Sequence, residues 1–378
     1  MTPASILSYY PTYSLLDEVC NSIGYKEMNI FIDLRNAMQT LYMRDTIYCI
    51  VENSLKTRFI DTSVFSSILS FLSFHKLYAI KRSMKIRFYF FFESGTSYYH
   101  KNISKKYKVS RRVDDLYGLD REKRDLFYDV VQKNLQLIEK AGNKLPNIKV
   151  IRMQNLEADF IPYYLLKNKL VPQNASNIIY SNDHDLLQSI IDDKTFIFFK
   201  SVHTKRLVKK NEVMNSCWKL KENELPDEYL PLSMSVIGDS GDDVEGVNGI
   251  GSKRLTGVIK ELLDLIADGN INTLYDKVFN GKELFNISFH KNKYINKIIE
   301  EELSSKKISN NLKLVSFELI SRALDEPINT EMIDKKKYLF EILNDEKVAP
   351  KDSIKEALIR NRVYLDDDSL ETIYYGEL

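Results

Sequence analysis

Residues 237–254 are IGDSGDDVEGVNGIGSKR, a segment in which two parts of different side-chain composition follow one another. In its first part, Asp239, Asp242 and Asp243 concentrate negative charge. Its second part is rich in glycine and ends in two basic residues. The segment therefore indicates an acidic site that is followed directly by a turn able to contact a phosphate.

The glycine-rich part leads into a predicted amphipathic helix, whose apolar residues recur at helical spacing over 255–266 and which ends at Gly269. Glycine permits a tight turn and a close approach of the backbone to a ligand, while a serine at the helix start is a good cap. The pattern predicts a helix-hairpin-helix that binds a phosphate backbone; the alternative is a turn without a ligand. The predicted nucleic-acid contacts here are Gly246, Gly249, Gly251, the capping residue Ser252, and Lys253.

Upstream of this segment, five short apolar runs predict β-strands. They are Met28–Leu34, Ile86–Phe92, Ile148–Met153, Ile178–Ser181 and Phe196–Phe199. Helical patterns separate them, for example an apolar stripe over 127–138 with Gly142 as its predicted C-cap. Runs that are apolar on both faces predict an α/β fold with a mostly parallel sheet flanked by helices.

Acidic residues follow these predicted strands. They are Asp33, Glu93, Glu157, Asp159, Asp183 and Asp185. A single Asp after a strand is usually a cap or a turn former. In a parallel sheet, however, all of these acids would meet at one edge together with Asp239 and Asp242, and so much negative charge requires cations. Oxygen ligands alone favour Mg²⁺ or Mn²⁺, and two such ions would suit cleavage of a phosphodiester.

A basic segment follows the second strand. Residues 101–112, KNISKKYKVSRR, hold six basic residues and no acid. The segment could be a solvated charged face. Its position after Glu93 predicts instead that it overhangs the acidic cluster and holds a phosphate backbone there. Tyr107 is a candidate for stacking on an unpaired base, although packing is the more frequent fate of tyrosine.

The composition sets the broad class of protein. The chain has 378 residues with 44% hydrophobic and 28% charged residues, which excludes a disordered, collagen-like or coiled-coil protein. Lys and Arg total 54 against 53 Asp and Glu, so a polyanion must be attracted by a local patch. Cys20, Cys49 and Cys217 are too scattered for a disulfide framework or a zinc site. We expect no membrane span, no secretory signal and a cytoplasmic location.

The motifs resemble the 5′ nucleases of the flap endonuclease and phage 5′-to-3′ exonuclease type, which have a PIN-like core. Residues 237–254 are similar to their signature GD-x-x-DN-x-x-GV-x-GIG-x-K. Residues 107–111 resemble the Y-K-x-x-R of the family's helical arch, residues 157–159 its E-A-D, and residues 183–185 its D-x-D. The resemblance covers roughly residues 28–270.

The resemblance implies roles for individual residues. Lys108 and Arg111 would contact the scissile phosphate. The hairpin would grip duplex DNA while a bound K⁺ bridges its carbonyls to a phosphate. The implied ligands of two Mg²⁺ or Mn²⁺ ions are Asp33, Glu93, Glu157, Asp159, Asp183, Asp185, Asp239 and Asp242.

The sequence departs from the family pattern at four positions. Glu93 stands where the family usually has Asp, and Asp243 where it has Asn. Phe160 replaces a third acid, which predicts a weaker metal site. Pro162 lies in the expected helix after Asp159 and is tolerable only in its first turn.

Four segments are expected. Residues 1–27 form an N-terminal extension, residues 28–232 the nuclease core with the arch near 95–125, residues 233–270 the helix-hairpin-helix module, and residues 271–378 a helical C-terminal region. The expected protein is a monomeric hydrolase that cleaves DNA, or an RNA primer on DNA, at or near a free 5′ end. Its substrates would be flaps, nicks and primers in replication or repair, with other replication proteins as partners. The Asn-, Lys- and Ile-rich composition hints at a viral genome, and thus at the host cytoplasm.

Three other functions stay open at this point. One is an RNase H-like exonuclease that removes primers. Another is a catalytically weak protein that binds branched DNA, with Glu93 and Phe160 as signs of decay. The third is a PIN-type RNase, although such domains usually lack a helix-hairpin-helix.

Overall fold

A computed structural model places most of the chain. The residues that it describes are 13–35, 37, 57–109, 121–200, 205–218, 220, 224–267, 269–327, 330–360 and 367–375.

A six-stranded sheet forms the centre of the protein. Its strands are β1 (Glu27–Asp33), β2 (Lys85–Ser94), β3 (Ile148–Gln154), β4 (Ser176–Tyr180), β5 (Thr195–Lys200) and β6 (Lys205–Val208). Their order is β3-β2-β1-β4-β5-β6, with β1 to β5 parallel and β6 antiparallel at the edge. The chain thus winds outward from β1 in both directions. In such sheets the ligand crevice lies at the carboxyl ends of the strands where the winding reverses, here between β1 and β4.

The strands are apolar on both faces because both faces are covered. Phe31 and Phe91 belong to one hydrophobic core, and Ile32 and Phe90 to the other, all of them buried. This alternation along β1 and β2 is the period of two that a pleated strand imposes. The five predicted strands and the mostly parallel sheet are confirmed.

Helices cover both faces of the sheet. Those in the described ranges are α1 (Tyr13–Ile23), α2 (Thr57–Arg82), α3 (Tyr98–Ile103), α4 (Arg121–Gly142), α5 (Ile161–Lys167), α6 (Val213–Trp218), α7 (Leu230–Ile237), α8 (Ser252–Ala267), α9 (Ile271–Phe279), α10 (Lys293–Ser305), α11 (Lys307–Val315), α12 (Phe317–Asp325), α13 (Thr330–Asn344), α14 (Lys351–Arg360) and α15 (Asp367–Tyr375). Side chains of α1, α2, α4, α14 and α15 pack into the core that holds Ile32, and the other helices pack on the opposite core. None of these described helices is long and apolar enough to span a bilayer.

The two ends of the chain contribute to the cores. The predicted N-terminal extension contains α1, whose Leu16 and Val19 are buried against the sheet. The C-terminal region is helical, as predicted. It divides between the two faces, since α9 to α13 lie on one core while Ile354 and Ile373 lie in the other.

Gly142 has a different role from the predicted C-cap. It is the last residue of α4, it is buried, and a Cβ atom there would lie 2.5 Å from Cγ2 of Val150 in β3. Gly142 therefore permits close helix–strand packing. Gly269 does end α8 as predicted, because it adopts a φ of +75°, which favours glycine at a helix end.

A short two-stranded ribbon connects the sheet domain to the hairpin. Its strands are β7 (Gly238–Asp239) and β8 (Val244–Glu245), which pair antiparallel. At its end, the backbone of Gly246 packs directly on that of Ile237, so that a Cβ atom at position 246 would overlap the carbonyl of Ile237. Gly246 is thus required by backbone packing within the ribbon.

We expect Gly246→Ala to lower the free energy of unfolding by at least about 2 kcal/mol, because a backbone carbonyl cannot give way as a flexible side chain can. Gly251→Ala is the matched control, since a Cβ atom there meets nothing within 4 Å. Urea unfolding of both variants checks the difference. Equal stability of the two variants would contradict this reason for the glycine.

Candidate functional site

The predicted acids do meet at the carboxyl ends of the strands. Asp33 is the last residue of β1 and only 5% exposed, and Glu93 is the penultimate residue of β2. Asp33 is in register with Phe91, two positions before Glu93, so the two carboxylates project from the same face of the sheet. This face is the one on which the β7–β8 ribbon lies.

Asp159 joins them from the turn between β3 and α5. Helix α5 begins at Ile161, and Pro162 therefore lies in its first turn, where proline is tolerated. Phe160 is fully buried and packs edge-to-face on Tyr164 with ring centroids 6.1 Å apart. Position 160 thus belongs to the hydrophobic core and offers no oxygen ligand.

Asp183 and Asp185 follow β4 and are fixed by local hydrogen bonds. The backbone N–H of Asp185 donates to Oδ1 of Asp183 over 3.0 Å, and the N–H of Asp183 donates to Oγ of Ser181 over 3.0 Å. Such turns hold an Asp side chain in one orientation while its second oxygen stays available. His184 between them is exposed and packs on Phe199.

The ribbon adds the remaining pair of acids. Carboxylate oxygens of Asp185, Asp239 and Asp242 lie within 4.8 Å of one another. Oδ1 of Asp239 accepts the N–H of Gly241 over 2.8 Å, which orients it. Asp243, where the family has Asn, adopts a left-handed φ of +58° that both residue types tolerate.

Electrostatic interactions show that these acids form one continuous cluster. Burial raises the pKa of Asp159 well above its usual value, and the carboxylates of Asp33, Asp183 and Glu93 raise it further. The pKa of Asp185 is raised in the same way by burial and then by Asp183, Asp242 and Asp239. Asp183 therefore connects the acids around Asp159 with those around Asp185. The repulsion within this acidic cluster is relieved by protons or by cations.

The donor set suits hard divalent cations. The cluster offers carboxylate oxygens from several chain segments at short range, and Mg²⁺ and Mn²⁺ prefer oxygen ligands. A cation would also remove the repulsion that raises the pKa values of Asp159 and Asp185. The residues present thus fit the predicted metal centre.

The basic segment does lie over the acidic cluster, as far as the structure describes it. Nζ of Lys108 is 2.8 Å from Oε2 of Glu157 and 3.4 Å from Oδ2 of Asp242. The N–H of Lys108 also donates to the carbonyl of Asp242 over 3.0 Å. Lys108 therefore links Glu157 to the rest of the cluster. Arg111 lies outside the described residues.

Tyr107 does not have the exposure that base stacking requires, so this prediction is wrong for the conformation seen here. It is 5% exposed, and its hydroxyl donates to Oδ2 of Asp242 over 2.9 Å. Its ring stacks on that of His100 with centroids 4.6 Å apart and an angle of 13°. Tyr107 instead orients a carboxylate of the cluster.

His100 was not identified from the sequence. Its Nε2 lies 3.1 Å from the carbonyl of Leu314 and must donate to it, so that Nδ1 accepts from the hydroxyl of Ser97 over 2.6 Å. Burial lowers the pKa of His100 to about 3, which keeps the ring neutral. His100 thereby fixes Tyr107 against α11. No pattern in the sequence marks a histidine for this role.

Arg35 is a second residue that sequence reasoning missed. Its Nη1 lies 2.8 Å from Oε1 of Glu93. A basic residue two positions after Asp33, at the end of a strand, was a signal that could have been used. Arg35 supplies positive charge at the position where Glu replaces the family's Asp.

The hairpin has the predicted glycine conformation and a different cap. Gly249 has a φ of +89°, which favours glycine. Ser252 is the first residue of α8, so the cap position falls on Gly251 and the prediction for Ser252 is wrong by one residue. Lys253 is exposed next to it. The roles of these residues in binding DNA stay predictions.

Comparisons with known proteins agree on the fold. No protein-family model matches the chain, and no curated protein sequence is significantly similar to it. Among solved structures, the bacteriophage T5 D15 flap endonuclease, in a pseudo-enzyme-product complex with DNA and metal ions, is 20% identical with a TM-score of 0.56, covering 84% of this chain and all (100%) of that chain. A T5 5′-exonuclease with bound zinc is 19% identical with a TM-score of 0.56, and the coverage is again 84% and 100%. The protein has the fold of the 5′ nucleases.

The raised pKa of Asp185 gives a prediction on stability without metal. Below the usual carboxyl pKa near 4, the side chain is protonated in both the folded and the unfolded protein. Above it, the unfolded chain ionises first, so the free energy of unfolding falls as the pH rises. Asp185→Asn removes this penalty and should stabilise the chelator-treated protein by about 1 kcal/mol at pH 7 and by less at pH 4.5.

Urea unfolding in chelator at both pH values measures this effect. Asp264→Asn is the control, because Asp264 is exposed on α8. A destabilised Asp185→Asn protein at pH 7 would show that the ionised carboxylate is held favourably, against the repulsion inferred here.

Proposed function

We propose that the protein is a divalent-metal-dependent nuclease that hydrolyses DNA phosphodiesters at or near a free 5′ end. The observation that carries this proposal is the acidic cluster at the point where the sheet winding reverses, with Lys108 in contact with Glu157 and Asp242. A dense group of carboxylates costs stability, and a bound cation explains why a protein would keep it.

The proposed substrates are 5′ flaps, nicks and RNA primers annealed to DNA, in replication or repair. Two observations support a DNA substrate. The chain has a glycine hairpin at the start of α8, and the T5 structures of the same fold are described as a flap endonuclease and a 5′-exonuclease. We propose further that the protein acts as a monomer.

Two groups of residues would hold the metal ions. One consists of Asp33, Glu93, Asp159 and Asp183, and the other of Asp185, Asp239 and Asp242. Lys108 connects Glu157 to the second group, because its ammonium group contacts both Glu157 and Asp242. Divalent ions bound there supply Lewis-acid stabilisation of the scissile phosphate. The carboxylates would position the phosphate by holding these ions. The turn at Asp183 and the hydrogen bond between Tyr107 and Asp242 fix the orientation of two of these side chains.

Lys108 is placed to act on the phosphate itself. Its ammonium group has three N–H donors and already lies among the carboxylates at the entrance of the cluster. A phosphate arriving there would compete with Glu157 for this cation. Since negative charge on the phosphate oxygens grows in the transition state, a fixed cation stabilises that state more than the bound substrate.

A cleavage assay tests the proposal directly. We expect Mg²⁺-dependent cleavage of 5′-flap or nicked DNA, or of an RNA/DNA hybrid, that stops in chelator. Binding of branched DNA without any cleavage would instead support the DNA-binding protein, and cleavage restricted to RNA would support a PIN-type RNase.

Asp183→Asn should abolish cleavage and leave DNA binding intact. Asn keeps the oxygen that accepts the N–H of Asp185, so the turn survives while one ligand charge is lost. We expect single-turnover cleavage to slow by at least about a hundredfold, equivalent to roughly 2.7 kcal/mol of barrier. Asp193→Asn, an exposed acid of the loop before β5, is the control. Turnover above about a tenth of wild type would remove Asp183 from the metal ligands.

Lys108→Met should slow the chemical step by at least about tenfold at saturating enzyme, roughly 1.4 kcal/mol of barrier. Lys105→Met removes an exposed cation of the same segment and should change affinity alone. Single-turnover rates with a 5′-flap, taken far above the dissociation constant, separate the two effects. An unchanged saturating rate would leave Lys108 with a binding role only.

A further inference from the structure

Two cationic side chains donate hydrogen bonds to backbone carbonyls at the tip of the hairpin. Nη1 of Arg254 donates to the carbonyl of Gly249 over 3.1 Å. Nζ of Lys297, from α10, donates to the carbonyl of Asn248 over 2.9 Å. One cation thus comes from the helix that follows the hairpin, and the other from a helix more than forty positions further along the chain, outside the segment that resembles the 5′ nucleases.

This arrangement does not fit the K⁺ that the resemblance implies. A K⁺ ion on these oxygens would lie next to a guanidinium and an ammonium group that already bind them, and like charges at such range repel. The carbonyls of Val247 and Gly251 accept the N–H groups of Ile250 and Arg254 over 3.2 and 2.9 Å. The donor set therefore favours the protein's own cations.

Tyr294 of α10 holds the cations in place. The guanidinium of Arg254 lies 4.8 Å from the centre of its ring, and Nζ of Lys293 lies 5.1 Å from it. Such contacts are attractive and restrict the long side chains. Arg254 and Lys293 thus lie against one aromatic ring beside the hairpin, and we name these two residues together with Lys297 the hairpin cations.

The hairpin cations form no ion pair with a carboxylate among the residues that the structure describes. Within the described part of the chain, no carboxylate oxygen lies within 4.0 Å of their charged nitrogens. The nearby Glu261 contacts His290 and accepts from Asn292 instead. Arg254 and Lys297 each donate one hydrogen bond to a hairpin carbonyl, whereas a guanidinium group has five N–H donors and an ammonium group three.

We propose that the hairpin cations bind the phosphate backbone of duplex DNA directly, in the place where the resemblance puts K⁺. Helix α10 is then the second half of the DNA-binding module, joined to the hairpin through Tyr294 and Lys297. Binding to duplex DNA follows from these cations and does not depend on K⁺. The identity of the partner rests on the proposed function, while the cation arrangement does not.

Equilibrium binding to a nicked DNA duplex in chelator tests this inference. Titrations at 50 and 200 mM NaCl, KCl and tetramethylammonium chloride are expected to give the same affinity within about twofold at each concentration, because counterion release depends on charge and not on ion identity. A KCl affinity more than about fivefold higher than that in NaCl would overturn the proposal.

Arg254→Met and Lys297→Met should each weaken binding and lower the slope of log affinity against log salt by about one unit. Lys260→Met is the matched control, since Lys260 is exposed on the same helix α8. Thermal unfolding confirms that the variants fold; if loss of the Tyr294 contact unfolds Arg254→Met, the Lys297→Met result decides. Affinities and slopes equal to those of the control would overturn the proposal.

The outcomes separate this inference from the proposed function. A wild-type protein that binds the duplex through the hairpin cations but never cleaves would refute the nuclease and leave the inference standing. A wild-type protein that cleaves flaps while both variants bind like the control would refute only the inference. No binding of duplex DNA by the wild type would overturn both.

Discussion

Repulsion among carboxylates at one sheet edge is the constraint to which the rest of the structure is adapted. Parallel strands deliver Asp33 and Glu93 to the same place as the turns that carry Asp159 and Asp183, and the ribbon adds Asp239 and Asp242. Burial raises the pKa values of Asp159 and Asp185 because water cannot screen the charges there. Arg35 and Lys108 offset part of this charge by ion pairs with Glu93 and Glu157. Protons or bound cations relieve the repulsion in such a cluster.

The helices beyond the resembling segment hold this site together. Gln188, in the turn after Asp185, donates to the carbonyl of Val315 over 2.9 Å and accepts the N–H of Phe317 over 3.0 Å. His100 reaches the carbonyl of Leu314 and supports Tyr107, which orients Asp242. The C-terminal region is therefore part of the architecture of the acidic cluster.

The departures from the family pattern have physical explanations in the structure. Glu93 reaches one methylene further than Asp, and Arg35 binds it at 2.8 Å, which limits its freedom. Phe160 replaces an acid with core packing on Tyr164. At the hairpin, Arg254 and Lys297 donate hydrogen bonds to carbonyl oxygens that the resemblance assigns to K⁺.

The sequence by itself determined the strands, the parallel sheet and the acids, because apolar runs and residues at strand ends are local patterns. The glycine hairpin followed from the same kind of signal, although the cap fell on Gly251 and not on Ser252. Only the tertiary structure decided that Tyr107 is buried on His100 and that Gly142 packs on Val150. It also decided that Arg35 pairs with Glu93 and that Lys297 binds the hairpin. The related contact between His100 and Leu314 joins positions more than two hundred residues apart. No local pattern encodes the contact of His100 with Leu314 or of Lys297 with the hairpin, since packing of whole helices on the sheet brings these residues together.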